Sequence, residues 1–352
     1  MDSSSLFIIF FLIVFNLLFY KYFLLISDKY NLKFLIDNEF KKPQAFHKFS
    51  ISTSGGLGIF FSFIILCSYF YFSKQIVYYE YLSFCTLFFA LGLLDDLKLN
   101  LRPKLRLLLM IAFLIILVIS NEYYVEHTGI GFLNRFLEID IFALFFVCLC
   151  FLFIVNGSNL IDGFNGLLSI HSLIILINLF FINYYSGNTD LAFFIFCGIL
   201  IITIFLIYNF PKATIFLGDS GAYFLGIFIA ISVINTSIAH PMISPFYFCI
   251  LLFYLFFEVF FSFIRKVFVE LKSPLFPDSK HLHMLLYKML VKKNKDKFKS
   301  NYYVSVIINL IFLILTIPSI FMMENGLFCK YYSLVFFATY LFAYKKLSFQ
   351  KK

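Results

Sequence analysis

Long, mostly apolar runs, most of them close to the length that crosses a bilayer, recur along nearly the whole chain. A membrane helix needs about 20 mostly apolar residues to cross about 30 Å of hydrocarbon. Eleven such runs can be read, at about 6–26, 55–72, 77–94, 105–120, 141–155, 168–185, 191–209, 221–239, 244–264, 304–323 and 328–344. Composition agrees: of 352 residues 62% are hydrophobic and 13% charged, 55 are Phe, and the mean hydropathy is +0.94. Ordinary globular chains carry about 45–50% apolar and about 25% charged residues, so too little polar surface remains to coat a water-soluble fold. Disorder, collagen and coiled coil are excluded on the same ground. The expected fold is all-α, a polytopic integral membrane helix bundle of about 11 transmembrane helices in a single domain, 1–352. Short runs such as 141–155 can span only if neighbouring polar segments also enter the bundle, which is tolerated where they line a cavity. Leu6–Ile26 is too long for a signal-peptide core, lacks a basic n-region and has no small-residue cleavage site after it, so it reads as the first span.

Orientation follows from charge. With the N-terminus outside, the inner connections and the C-terminal tail hold 25 of the 28 Lys and Arg residues, and only Lys74, Arg135 and Lys330 lie outside. That asymmetry is what the positive-inside rule requires, and it puts the C-terminus in the cytoplasm. The seven cysteines sit in or beside apolar runs, with no zinc-like spacing, and read as small hydrophobes in the bundle.

Most of the remaining polar chemistry falls on the same inner face, in the loops at about 27–54, 95–104, 156–167, 210–220 and 265–303. Ionisable groups next to hydrocarbon are costly and are functional candidates by default. One block is Asp95-Asp96, followed by Lys98, Arg102, Lys104 and Arg106. Adjacent carboxylates repel, and both ionise readily only beside cations, either a bound metal or the basic run; a solvated helix end is the plainer alternative. A second block runs Asn156-Gly157-Ser158-Asn159-Leu160-Ile161-Asp162-Gly163-Phe164-Asn165-Gly166-Leu167, with amides or an acid every third residue. It is either a hydrogen-bonded seam between helices or a ligand site, and its glycines favour close approach of backbone to a bulky ligand. The third, Asn209-Phe210-Pro211 through Phe216-Leu217-Gly218-Asp219-Ser220-Gly221, can present a carboxylate and backbone N–H groups at a helix mouth, unless Asp219 is only an N-cap. The fourth is the long loop carrying Asp278, His281 and His283, preceded by Arg265. His-x-His resembles a zinc half-site, but no third His or Cys stands nearby; with Arg265 the pair could instead cap a phosphate. Hard oxygen donors without thiolates favour Mg²⁺ or Mn²⁺, and Mg²⁺ completes its shell with substrate phosphates. The chemistry points to a metal–phosphate substrate entering from the cytoplasm, with no nucleic-acid partner.

Together and in this order, the Asp-Asp, Asn-x-x-Asn-x-x-Asp-Gly-x-x-Gly-Leu, Asn-x-Pro…Phe-x-Gly-Asp-Ser-Gly and His-x-His blocks resemble the polyprenyl-phosphate N-acetylhexosamine-1-phosphate transferase superfamily. The resemblance covers the chain from Gly55-Gly56 through the His loop. It implies transfer of an N-acetylhexosamine-1-phosphate from a UDP-sugar to polyprenyl (undecaprenyl) phosphate with release of UMP. The setting it implies is the bacterial inner membrane, at the start of a cell-envelope polysaccharide, and it leaves room for a homodimer. The His loop resembles the branch using UDP-N-acetylhexosamine more than the peptidoglycan branch. Carried onto this chain, the resemblance implies Asp162 and Asp219 as Mg²⁺ ligands with Asn159 and Asn156 beside them, and Asp95 and Asp96 near the lipid phosphate. Lys48 and Lys104 would supply positive charge. Asn209, Phe216 and the Gly163-Phe164-Asn165 turn would surround the uracil, and His281, His283 and Arg265 would close over sugar and diphosphate. The chain departs from the pattern at Ala45-Phe46-His47-Lys48, at Asn165 where many members have Asp, and at Met284 in place of a third His. An amide can both accept from uracil N3–H and donate to a carbonyl. The change at Met284 bears on the sugar (GlcNAc, or a relative such as FucNAc or QuiNAc) more than on the reaction. The rival reading is a transporter or lipid flippase; it favours acids deep in the spans at matching positions of two halves, whereas here most acids cluster at the inner ends and Glu258 lies deep inside a run.

Overall fold

The computed structural model describes residues 3–30, 36–37, 51–99, 101–125, 127–273 and 278–349. Lys48 and the Ala45–Lys48 stretch lie outside the described residues. In hydrocarbon every backbone polar group must be satisfied within the chain, and the apolar runs accordingly fold as helices. In order, these are α1 (Ser3–Tyr30), a two-residue antiparallel ladder of β1 (Ile36–Asp37) with β2 (Ile51–Ser52), α2 (Gly55–Tyr69), α3 (Tyr79–Asp96), α4 (Pro103–Ser120) and α5 (Gly131–Leu137). They continue as α6 (Asp140–Ile161), α7 (Leu167–Tyr185), α8 (Thr189–Asn209), α9 (Gly218–Ala239), α10 (Pro245–Leu251), α11 (Phe253–Ile264), α12 (Leu282–Asn294), α13 (Lys297–Phe321) and α14 (Gly326–Phe349).

Among the described residues, nine helices are long and apolar enough to cross a membrane, or ten if α10 and α11 with the turn that extends it count as one bent span. The chain is a multi-pass membrane protein. Two of the eleven predicted spans differ from a plain apolar crossing. The 77–94 run is α3, whose Glu80, Asp95 and Asp96 set it apart from the apolar nine. The 244–264 run is not straight: α10 and α11 meet at a 76° bend at Leu252. No Pro or Gly marks the break. Both helices touch α14, but α10 also packs on α13 whereas α11 also packs along α6, so the bend accompanies a change of neighbours. The run at 141–155 extends in α6 to Ile161, so the first half of the Asn-rich block is itself helical.

The bundle is organised around α9, which packs against α3, α6, α2 and α7 and has 78% of its most apolar window buried. Small residues let backbones cross closely there. A Cβ on Gly56 would sit 2.5 Å from Gly221 N, and one on Gly92 2.5 Å from Ser220 Cα. The α8–α9 connection is stitched to the entry of α2: Ser52 bridges Ile215, Phe216 N donates to Ser52 O at 2.7 Å, and Gly55 N donates to Phe216 O at 2.9 Å.

Candidate active site

The C-terminus of α3 meets the N-terminus of α9. Asp96 Oδ1 accepts from Asp219 N at 2.9 Å, and Oδ2 accepts from Ser220 N at 3.0 Å and Ser220 Oγ at 2.6 Å. A helix N-terminus has unpaired N–H groups and a positive dipole end, so an acid delivered from another helix caps it. Gly218 makes this contact fit: its φ is +80°, and a Cβ there would lie 2.7 Å from Asp96 Oδ2. The cap of α9 is therefore Asp96, and Asp219 belongs to the helix's first turn.

Asp219 Oδ1 in turn accepts from Asn159 Nδ2 at 3.0 Å, which ties α9 to the last turn of α6. Asp162 follows immediately after α6. Burial, and then the charges of Asp219 and Asp96, push its carboxyl well above the usual carboxylate range. Beside this trio Asp95 is ion-paired with Arg106 from α4, whose guanidinium lies 5.9 Å from the Tyr223 ring centre on α9. Lys104 is exposed on the first turn of α4.

The every-third-residue ladder does not act as one seam. Asn156 Nδ2 donates to Leu152 O at 2.8 Å and faces Met110 of α4, 3.9 Å from its sulfur, whereas Asn159 faces Asp219. Gly157 serves packing rather than a bulky ligand: a Cβ there would lie 2.1 Å from Leu255 O of α11. Gly163 has open space where its Cβ would be. Beyond it, Gly166 N donates to Asn209 Oδ1 at 2.7 Å, and Asn209 Nδ2 donates to Ile215 O at 2.9 Å. Asn209 is buried and latches the two loops together. Asn165 Nδ2 donates to Pro211 O at 2.9 Å across the same seam, and the Asn165 backbone is held by Asn301 and Ser305 of α13. Phe216 is half-buried on the α8–α9 connection.

The His loop reaches this end through Phe164, whose ring centre lies 5.7 Å from His283 and 5.3 Å from Tyr287. His281 and His283 are parallel, with centroids 5.5 Å apart, and both are buried. His283 Nδ1 lies 3.2 Å from Tyr254 Oη. Burial first, and His281 beside it, lower the His283 pKa to about 3 against the opposing pull of Glu258, so the ring is neutral. His281 Nδ1 lies 3.1 Å from Glu258 Oε1. Arg265 does not point a free guanidinium at an anion. It is paired with Asp278 and, at 2.8 Å, with Glu270, bracing the base of the loop. Asp278 is held below its ordinary value because the hydrogen bond and charge of Arg265 outweigh its burial.

The four blocks thus meet through contacts at one end of the bundle, Asp96 to Asp219, Asn159 to Asp219, Asn165 to Pro211 and Phe164 to His283. Sequence reasoning gave no role to Arg106 as the partner of Asp95, to Glu258 as the partner of His281, or to Asn301 and Ser305. Arg106 carried a signal, since it stands on the basic run after the acid pair, and so did Glu258 as an acid inside an apolar run; Asn301 and Ser305 carried none.

Among the described residues no three His, Cys, Asp or Glu side chains form a ready-made metal cage. Mg²⁺ needs only one or two carboxylates when phosphates and water complete its shell. Asp162 and Asp219, each within reach of the other's charge, fit that demand, and a divalent cation held by them would offset the burial, and then the repulsion, that raise the Asp162 pKa.

A family model described as glycosyl transferase family 4 matches residues 78–237, which contain the first three blocks. The undecaprenyl-phosphate alpha-N-acetylglucosaminyl 1-phosphate transferase of Thermotoga maritima is 31% identical over 70% of this chain and 71% of its own length. A Bacillus subtilis protein named probable undecaprenyl-phosphate N-acetylglucosaminyl 1-phosphate transferase is 30% identical over 65% of this chain and 63% of its own. The phospho-N-acetylmuramoyl-pentapeptide-transferase of Caldicellulosiruptor bescii is 31% identical over 52% and 60%. Because this likeness runs through the same helix ends that build the acid cluster, the chain belongs to glycosyl transferase family 4, the superfamily of polyprenyl-phosphate N-acetylhexosamine-1-phosphate transferases.

Proposed function

We propose that the protein transfers an N-acetylhexosamine-1-phosphate from a UDP-sugar to polyprenyl phosphate, giving a polyprenyl-diphosphate-linked sugar and UMP. The observation that carries this reading is the meeting of Asp96, Asp219, Asn159 and Asp162, from three separate stretches of chain, around the N-terminus of one central helix. Such an end collects anions. The relatives' names and the chain's own blocks agree with this reaction class.

In this reading the whole chain works as one transferase domain in the bacterial inner membrane, N-terminus outside and active end cytoplasmic, as its charge bias requires. A phosphate oxygen of the lipid attacks the β-phosphorus of the UDP-sugar. The bond from that phosphorus to the bridging oxygen breaks, and its electron pair leaves with UMP. A phosphate monoester has its second pKa near ~6, so the nucleophile arrives largely deprotonated and needs no strong base. Asp96 has both oxygens occupied by the α9 terminus, which suits a positioning role. Asp95 aims Arg106 toward the same end, and Arg106, Lys104 and Lys48 supply charge for the phosphates. Asp162 and Asp219 would hold Mg²⁺ or Mn²⁺, which when bound would supply charge neutralisation for the diphosphate and the leaving group. Phe216 and the Gly163–Asn165 turn form the uracil side, with Asn209 latching the loops that carry them; Asn159 supports the acid cluster, and Asn156 lies against α4. His281 and His283 stand on the sugar side, with Arg265 bracing their loop. Catalysis of this kind is mostly positioning and electrostatics.

The test is purified protein in lipid with polyprenyl phosphate, Mg²⁺ and a panel of UDP-N-acetylhexosamines, scored for UMP and lipid diphosphate. One sugar is expected to give both products, and Asp162→Asn or Asp219→Asn to abolish them. Near-normal turnover in either variant would falsify the metal assignment. Vectorial transport without UMP would move the protein to the transporter class.

A further inference from the structure

Glu258 is a carboxylate inside a membrane helix, 1% exposed, and the reaction above gives it no role. An isolated charge there is costly, so its surroundings are informative. Oε1 lies 3.1 Å from His281 Nδ1 and accepts from Leu282 N at 2.9 Å; Oε2 accepts from Tyr340 Oη at 2.7 Å. These donors come from two other elements: the start of α12, which carries the His-x-His pair, and α14, the C-terminal helix. The Phe257, Phe261 and Tyr344 rings pack on Tyr340, with centroids 4.8, 5.4 and 6.3 Å away, and hold its hydroxyl in place.

We propose that Glu258 is a positioning residue for the transfer reaction, fixing the proton of His281 on Nδ1 and anchoring the start of α12 to α14 through Tyr340. This rests on the transferase reading above. A ring whose Nδ1–H faces a carboxylate presents Nε2 to whatever it meets next, and the tautomer is then set by the partner. The adjacent Leu282 N–H bond fixes the backbone from which both histidines project. The C-terminal helix thereby becomes part of the active site without touching substrate: Tyr340 orients Glu258, and Glu258 orients His281.

The test uses full-length protein in lipid and a double-mutant cycle. Glu258→Gln keeps the volume and loses the charge; Tyr340→Phe removes a single hydroxyl and keeps the ring packing. Loss of an orienting partner typically costs about 10–100-fold in activity. Glu258→Gln is expected to lower kcat about 10- to 100-fold with little change in KM for the UDP-sugar, Tyr340→Phe to lower it several-fold, and Glu258→Asp to restore part of the loss. In a His281→Gln background both losses are expected to disappear, because groups acting in series are non-additive. Equal fold losses with and without His281, or kcat within twofold of the unaltered enzyme in Tyr340→Phe, overturn the positioning role. If Glu258→Gln does not fold, the Tyr340→Phe cycle decides alone. Unaltered protein that releases no UMP overturns the transferase reading itself, whereas turnover with additive variants overturns only this inference.

Discussion

Asp96→Asn separates two meanings of an acid beside a reaction centre. If Asp96 chiefly holds the N-terminus of α9, the change acts on structure first. An Asn side chain keeps one acceptor oxygen, enough for Asp219 N, but turns an NH₂ toward Ser220 N, which Asp96 now serves at 3.0 Å. A backbone N–H left unpaired in a half-buried setting costs about 1–3 kcal/mol. Burial, and then Asp219, raise the Asp96 pKa to about 7, so loss of its partial negative charge at the positive end of the helix adds at most about 0.3–1 kcal/mol. The Ser220 hydroxyl can rotate to accept from the new NH₂ and gives part of this back. The net expected loss is about 2 kcal/mol by these magnitudes.

The assay is thermal melting of the purified protein alongside turnover and Mg²⁺ titration. Asp96→Asn is expected to melt several degrees lower and to need more Mg²⁺ for half-maximal rate, because Asp219 is the residue whose N–H the cap holds. Asp95→Asn is the comparison: it breaks the pair with Arg106 but leaves the α9 terminus capped, so its melting temperature changes less. An Asp96→Asn protein with unchanged melting and unchanged Mg²⁺ dependence but kcat lowered more than a thousandfold refutes the argument. It would mean that the carboxylate acts on the substrate directly.

Three further outcomes follow from the same coordinates. Gly157→Ala sets a Cβ 2.1 Å from a backbone oxygen of α11 and is expected to cost about 1–3 kcal/mol of stability, whereas Gly163→Ala enters open space and leaves the melting temperature nearly unchanged. Equal melting of the two variants refutes the packing assignment. A charge-assisted contact from Arg106 to the lipid phosphate, as proposed, is worth about 1.5–3 kcal/mol, so Arg106→Ala is expected to raise KM for polyprenyl phosphate tenfold or more; a change confined to the UDP-sugar would place Arg106 elsewhere. His283 has a folded pKa of about 3 against an ordinary 6.5, so from pH 6.5 downward the unfolded chain takes up a proton that the folded chain refuses. Stability is expected to fall by about 2 kcal/mol between pH 7 and pH 5 and to flatten in His283→Gln; identical slopes in both proteins refute it.

The layout of spans and the chemistry-bearing blocks were legible in the sequence because both are local signals. A run of apolar residues carries its own length, and Asp95-Asp96 or Gly218-Asp219-Ser220-Gly221 carries its own composition. What each acid does was not legible. Asp96 caps a helix that begins 122 residues later, and no feature near Asp96 announces it. Glu258 stood out as an acid deep inside an apolar run, but its partners lie 23 and 82 residues away. Gly157 read as room for a ligand because a sequence does not say which face of a helix a glycine occupies; the nearby Leu255 carbonyl decides that. The break at Leu252 has no local breaker; what distinguishes its two sides is α13 beside α10 and α6 beside α11, which no local signal records.

These long-range contacts share a physical cause. In hydrocarbon, helices gain little from burying apolar surface against each other, and close backbone approach at small residues does more of the work. Gly56 against Gly221 and Gly92 against Ser220 bring α2 and α3 onto the first turn of α9, and Gly226 brings that helix within 2.8 Å of the Val155 Cα of α6 for an added Cβ. Helices packed this tightly have little freedom to slide, so the groups at their ends are fixed to within a side chain's reach. Asp96, Asn159 and Asp219 sit one turn or less beyond or beside these crossings. Spacing of the acids is therefore set by glycine contacts inside the bilayer rather than by the loops that carry the motif. Enlarging Gly226 to Ala is expected to disturb Mg²⁺ dependence as well as melting, although its Cβ would meet Val155 and Ser158 rather than the acids. A Gly226→Ala protein with lowered melting and unaltered Mg²⁺ dependence would show that the loops, and not the crossings, hold the acids in register.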